Sequence, residues 1–273
     1  MALKILVATD LSARSDRPFE RAAIMAARDG ASATALHVFD DLADEAEADQ
    51  MQVESSIKRN FSKEAAGFSV ISAHGSPPKT IALKAAELNS DIVIVGPARQ
   101  NNLSDYFLGT AVDHLVRHAE MPVLVVKARP REPYKNILLA TDFSDNSAYA
   151  LQRVLALFPD TNIFVGTAFH VAYEAWLKSD GVSEEMAEEA KREMSEFLDR
   201  CELSSADRSR ISKRIVEGSL HQAMYKLINN ENIDLLAMGT QGRGGIAKAA
   251  LGSNASDMLK WSPVDCLMVR MPK

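Results

Sequence analysis

The chain is written twice. Lys4-Ile5-Leu6-Val7-Ala8-Thr9-Asp10-Leu11-Ser12 returns as Lys135-Asn136-Ile137-Leu138-Leu139-Ala140-Thr141-Asp142-Phe143-Ser144, with Asp10 and Asp142 132 residues apart. Ala35-Leu36-His37-Val38 returns 133 residues later as Ala168-Phe169-His170-Val171. Gly75-Ser76, Gly96 and Gly109-Thr110 return 143 residues later as Gly218-Ser219, Gly239 and Gly252-Ser253. The second copy therefore gains about ten residues between His170 and Gly218, by comparison of these spacings. A repeat of about 130 residues is a duplicated domain, not a solenoid unit. The 273 residues divide into two domains, each long enough to bury a core. Residues 128–133, Ala-Arg-Pro-Arg-Glu-Pro, read as a short stiff linker. The expected domains are 1–129 and 134–273.

Within each copy, short apolar runs alternate with helical patterns. In the second copy, runs at 137–140, 162–170, 211–217, 235–238 and 265–271 read as strands. Ala148, Leu151, Leu155 and Phe158 recur at helical spacing between the first two. Met186, Ala190, Met194, Phe197 and Cys201 form the stripe of a helix over 183–201, and Leu220, Ala223, Leu227 and Ile228 mark another. A further helix starts near Ser253. Strands alternating with helices, with apolar runs not confined to one face, indicate α/β domains with doubly wound parallel sheets. Ligands in such sheets bind outside the carboxyl ends of the strands, where the strand order reverses.

Composition narrows the function classes. A net charge of -6 disfavours nucleic acid as a partner. No apolar run approaches the roughly 20 residues of a membrane span, so no membrane partner is expected. The N-terminus reaches Asp10 after a short apolar run and does not read as a secretory signal. The two cysteines, Cys201 and Cys266, make no disulfide framework and suit a cytoplasmic protein.

The richest motif is 238–256, MGTQGRGGIAKAALGSNAS, which holds five of the chain's 13 glycines. It runs from the end of the fourth strand to the start of the last helix. Glycines there permit positive φ and close approach of backbone N–H groups to a ligand. The helix N-terminus adds free donors and partial positive charge. Ser253 and Asn254 add side-chain donors, and Arg243 and Lys248 add cationic charge. Together they describe an anion cradle suited to a polyphosphate. The loop is neither a Walker loop nor a dinucleotide fingerprint.

The spacing Gly239-x2-Gly242-x9-Gly252-Ser253 resembles the G-x2-G-x9-G-(S/T) nucleotide loop of universal stress proteins. Thr9-Asp10 and Thr141-Asp142 resemble that family's first-strand ending, His37-Val38 and His170-Val171 its second-strand ending, and Met121-Pro122-Val123-Leu124-Val125-Val126 its final strand. The resemblance covers nearly the whole chain, once per copy. It implies the tandem form of the family: two Rossmann-like, doubly wound, five-stranded parallel-sheet domains packed as a pseudo-dimer, with 123–127 and 266–270 as the partner edges. It implies ATP as ligand, alone or with Mg2+. Asp142 and the Val171 backbone would hold the ribose and adenine. Gly239, Gly242, Gly252, Ser253 and Asn254 would hold the phosphates, with Arg243 beside them, and Ala140, Thr141 and Met238 would line the pocket. The implied role is stress signalling through nucleotide occupancy and contacts with an unidentified protein partner. A slow ATPase and a nucleotide-free interaction protein stay open beside it, as does a homodimer of the whole chain. Asp265 departs from the family's apolar last strand and is expected to make that edge less apolar.

The first copy keeps Gly96 and Gly109-Thr110 but has Arg99 where the middle glycine falls, and Pro97 lacks a donor. Loss of nucleotide binding there is favoured over an Arg99 that supplies charge to an anion. His114 and His118, four apart, read as a helix-face pair rather than metal ligands. Asp10 and Asp142 lie in separate domains and form no catalytic pair.

Overall fold

The structure, a computed structural model, describes residues 2–11, 16–28, 30–40, 46–61, 67–97, 110–170, 182–242 and 251–272. They form two compact units, 1–133 with 265–272, and 134–264.

The first unit runs β1 (Lys4–Thr9), α1 (Asp16–Ala26), β2 (Ser32–Phe39), α2 (Ala46–Asn60), β3 (Ser69–His74), α3 (Pro77–Glu87), β4 (Ile92–Val95), α4 (Thr110–His118) and β5 (Val123–Val125). Its strands stand in the order β3-β2-β1-β4-β5, all parallel. The four residues of β4, Ile-Val-Ile-Val, are all buried, as a strand covered on both faces requires. The second unit runs β6 (Asn136–Ala140), α5 (Asp145–Leu157), β7 (Asn162–Phe169), α6 (Val182–Arg200), α7 (Ser205–Ser209), β8 (Ile211–Glu217), α8 (Leu220–Asn230), β9 (Leu235–Gly239) and α9 (Ser253–Trp261). Its order, β8-β7-β6-β9, repeats that of β3-β2-β1-β4, again with parallel neighbours. In both units the order reverses beside the first strand, which opens a crevice at the carboxyl edge.

The last strand, β10 (Asp265–Val269), belongs to the first unit. It pairs antiparallel with β5, placing Cys266 opposite Val125, Leu267 opposite Leu124 and Met268 opposite Val123. Asp265, expected from its sequence to make this edge less apolar, is enclosed in the fold. It is 1% exposed, its Oδ1 accepts from the Lys127 and Ala128 backbone N–H groups at 2.8 and 2.9 Å, and its Oδ2 lies 3.7 Å from the Arg21 guanidinium. A buried carboxylate persists only with such partners.

Of the stripe expected on α6, Ala190, Met194 and Phe197 are buried, as is Cys201 just past its end, whereas Met186 is half-exposed. On α5 the buried face is Ala150, Leu151, Val154, Leu155 and Leu157, and Ala148 is half-exposed. Leu151, Leu155 and Phe158 of the expected stripe are buried, and the helix starts at Asp145 under a Ser144 cap. Among the described residues no helix is long and apolar enough to cross a membrane.

Ladder register also corrects the repeat. Thr9 stands opposite His37, whereas Ala140 stands opposite Gly166, so the counterpart of His37 is Thr167. Gly75 and Gly218 donate to the carbonyls of Phe39 and Phe169, which equates those two phenylalanines. The matching Ala-x-His-Val strings are therefore three residues out of structural register. A shorter β6–α5 connection absorbs part of the difference, and part of the length gained later lies in α6, 19 residues long against 15 in α2.

Candidate functional site

The second unit's site begins where β6 ends. Thr141 N donates to Gly166 O at 2.9 Å, and Thr141 Oγ1 accepts from Phe143 N at 2.9 Å. This local bond curls the chain and puts Phe143 at φ 63°, in the left-handed region, at a cost on the order of 1–3 kcal/mol. The conformation is held from outside. The Phe143 ring is buried against Phe197, and the Arg200 guanidinium donates to Phe143 O at 2.7 Å. The turn aims Asp142 at the start of α5. Its Oδ1 accepts from Ser144 N (3.1 Å), Ser144 Oγ (2.6 Å) and Ser147 Oγ (2.8 Å). Two serines at a helix N-terminus thus orient one carboxylate.

Positive φ, one of the two roles expected of these glycines, is not used at Gly239, Gly242 or Gly252; at Gly239 and Gly242 neighbouring protein atoms approach closely instead. None of these three is at positive φ, and Gly252 has φ -57°. A Cβ at Gly242 would lie 2.6 Å from Asp142 Oδ2, and one at Gly239 would lie 3.2 Å from the Asn146 backbone. Gly252 N donates to Thr240 O at 2.9 Å and leads into α9. The first intrahelical bond of α9 runs from Ser256 N to Gly252 O, so the helix supplies no partner for the N–H groups of Ser253, Asn254 and Ala255. No acidic residue occupies its first turn. A helix end of this kind favours an anion.

These pieces line one cavity of about 840 Å³, a size that suits a small organic ligand. It gathers Ala140, Thr141, Asp142, Met238, Gly239, Gly242, Gly252, Ser253 and Asn254. Val171 and Arg243 lie outside the described residues, as does Lys248. By register the counterpart of Val38 is Ala168, which does line the cavity. Sequence reasoning also passed over Phe143, Ser147, Glu193, Gly218 and Gln241 as cavity residues. Gly218, at φ 130°, had a signal in the repeated Gly-Ser pair, since Gly75 has φ 121°. Glu193 had none, because its place depends on how α6 packs.

The first unit keeps the same turn: Leu11 has φ 58° and its N–H donates to Thr9 Oγ1 at 2.9 Å. Its glycine-loop counterpart, with Arg99 and Gly109, lies outside the described residues. His37 Nδ1 stands 2.9 Å from Thr9 O, tying β2 to the end of β1, whereas His170 lies past the end of β7 at the cavity. His114 and His118 stack on one another along α4, with ring centroids 4.2 Å apart.

Two stretches of the chain, residues 1–127 and 133–270, match the model of the universal stress protein family. The chain belongs to the universal stress protein family. Both matches together make it a tandem universal stress protein. A universal stress protein of Methanocaldococcus jannaschii is 27% identical over 143 residues, covering 51% of this chain and 84% of that protein. The crystal structure of a universal stress protein from Archaeoglobus fulgidus covers 98% of each chain at a TM-score of 0.69 and 18% identity, a likeness of fold. A universal stress protein crystallised in complex with cAMP is 26% identical, covering 50% of this chain and 96% of that one, at a TM-score of 0.36.

Proposed function

We propose that this universal stress protein binds ATP in the domain that begins at residue 134, and that occupancy of this site is its signal to a protein partner. The observation that carries the reading is the convergence of three elements on one cavity: the Asp142 turn, the turn at Gly239 and Gly242, and the N-terminus of α9. The donors of α9 suit the phosphates. Gly242, with no Cβ, leaves room for Asp142 Oδ2, and that carboxylate suits a ribose hydroxyl. Apolar Ala140, Met238 and Met258 line the remaining wall. The two cysteines are free and buried, which fits a reducing cytoplasm.

Calorimetric titration tests the reading, with ATP, ATP plus Mg2+, and cyclic AMP as separate ligands. We expect ATP to bind at about one per chain. At ATP near 100 times its Kd, stability should rise by about 2.7 kcal/mol. No heat of binding together with an unmoved melting temperature overturns the proposal. Tighter binding of cyclic AMP than of ATP replaces the ligand, and two equal sites per chain overturn the assignment to one domain.

A further inference from the structure

We infer that Arg200, the last residue of α6, is a positioning residue of the nucleotide site: it grips the turn on either side of Ser144 and so keeps Asp142 in the orientation that meets the ribose; this rests on the ATP reading above. Among the described residues that line the cavity, Arg200 is not one. Its guanidinium donates to Phe143 O at 2.7 Å, lies 3.7 Å from Asp145 Oδ1 and stands over the Phe197 ring, 6.0 Å from the centroid. Residues 143 and 145 flank Ser144. Ser144 in turn supplies two of the bonds that orient Asp142 Oδ1, from its N–H at 3.1 Å and its Oγ at 2.6 Å.

The turn needs such a grip. Phe143 stands at φ 63°, a conformation that a bulky residue keeps only where its surroundings enforce it. Relaxing that angle would rotate Asp142 against the rest of the turn and break the alignment of its carboxylate with Ser144 and Ser147. Two other features resist the change: the bond from Phe143 N to Thr141 Oγ1 at 2.9 Å, and the burial of the Phe143 ring. These act on the amide and the side chain of Phe143. Arg200 takes its carbonyl, the group that leads into Ser144. Loss of Arg200 should therefore misalign Asp142 without unfolding the turn.

The bond to Phe143 O is charge-assisted, but the Arg200 side chain is 55% exposed and water competes for it. A graded loss of affinity is expected, with little loss of stability. Arg200 also brings positive charge near the site, so removing it weakens any polyanion through the field alone. That contribution is the same for two ligands of equal charge. Misalignment of Asp142, by contrast, is felt only by a ligand whose ribose hydroxyls it holds.

Calorimetric titration with two ligands separates these effects. The parent and Arg200→Met are each titrated with ATP and with dideoxyadenosine triphosphate, which carries the same charge and lacks both ribose hydroxyls. We expect the parent to prefer ATP by about tenfold or more, as hydrogen bonds to a charged group allow. In Arg200→Met that preference should shrink by about threefold or more, through weaker ATP binding. Equal weakening of both ligands overturns the inference, because lost charge or a general loosening acts on both alike. A preference that survives unchanged overturns it too, as does a parent that binds both equally. If Arg200→Met does not fold, Arg200→Lys takes its place. A lysine keeps the charge but not the guanidinium fork, so part of the preference should still be lost; an unchanged ratio overturns the inference. A parent that binds neither triphosphate overturns the ATP reading itself, and this one falls with it.

Discussion

Gly239 and Gly242 are glycines for different physical reasons, although they lie three residues apart. At Gly242 the atom that a Cβ would strike is the tip of a side chain, Asp142 Oδ2 at 2.6 Å. At Gly239 it is the Asn146 backbone at 3.2 Å, inside α5. A carboxylate can swing away, and a helix backbone cannot. Gly242→Ala should therefore spare stability, at about 1 kcal/mol or less. It should weaken ATP by about tenfold, because Asp142 must leave its bonds to Ser144 and Ser147. Gly239→Ala should instead cost about 1–3 kcal/mol of stability through local overpacking. Urea unfolding and calorimetry on both variants check the contrast. Equal stability losses would show that backbone and side-chain neighbours yield alike. The same scale shows what the first copy retained. Leu11 and Phe143 share a left-handed φ and a hydrogen bond to the threonine two residues before. The turn outlived the divergence of the two loops.

Elements follow their sequence patterns where one face is buried. The continuous apolar runs of β4 and β9 became buried strands, and the stripe of α6 became its buried face. The Ser144 cap fixes where α5 starts, and Leu151, Leu155 and Phe158 turn to the core as their spacing implies. On α4, His114 and His118 are one turn apart and stacked. Burial, followed by the charges of His118 and Lys79, lowers the His114 pKa from its ordinary value. Between the lowered pKa and the ordinary one, the unfolded chain binds more protons at this residue than the folded one. The contribution of His114 to stability is therefore present above about pH 6.5 and is lost as the pH falls through the lowered folded value. Replacing it in His114→Gln should flatten the fall in the urea midpoint between about pH 7.5 and 5. An equally steep fall in the variant would assign the dependence to other groups.

At the scale of the whole molecule, the end of the chain is part of the first unit. Asp265 anchors it there. Its Oδ1 takes two backbone N–H groups that follow β5, and its Oδ2 faces Arg21 of α1. Both side chains are almost wholly buried, at 6% and 1% exposure. Removing the carboxylate takes a charge partner from the buried Arg21 guanidinium, which keeps its bond to Glu132 O at 3.0 Å. Asp265→Ala should cost about 3 kcal/mol or more in urea unfolding, and Asp265→Asn, which keeps an acceptor for the two N–H groups, should cost less. A loss near zero for Asp265→Ala would mean that β10 holds without this carboxylate.

The duplication, the α/β alternation, the glycine loop and the Thr-Asp turn were all determined by the sequence itself. Each is a local matter: a period, a spacing, or a bond between residues two apart. Nine of the eleven residues singled out from sequence line one cavity, because motifs at the carboxyl ends of parallel strands are brought to one edge by the strand order. Tertiary structure decided what depends on distant neighbours. The strings around His37 and His170 match as text, yet ladder register equates His37 with Thr167, since pairing follows backbone bonds rather than side-chain identity. The role of Gly242 depended on where Asp142 Oδ2 lies, 100 residues earlier in the chain. Asp265 read from sequence only as a polar residue in an apolar strand, and packing surrounds it with Arg21 and the backbone after β5. Burial and partnership are set by packing across the chain, and no window of sequence contains both sides of such a contact.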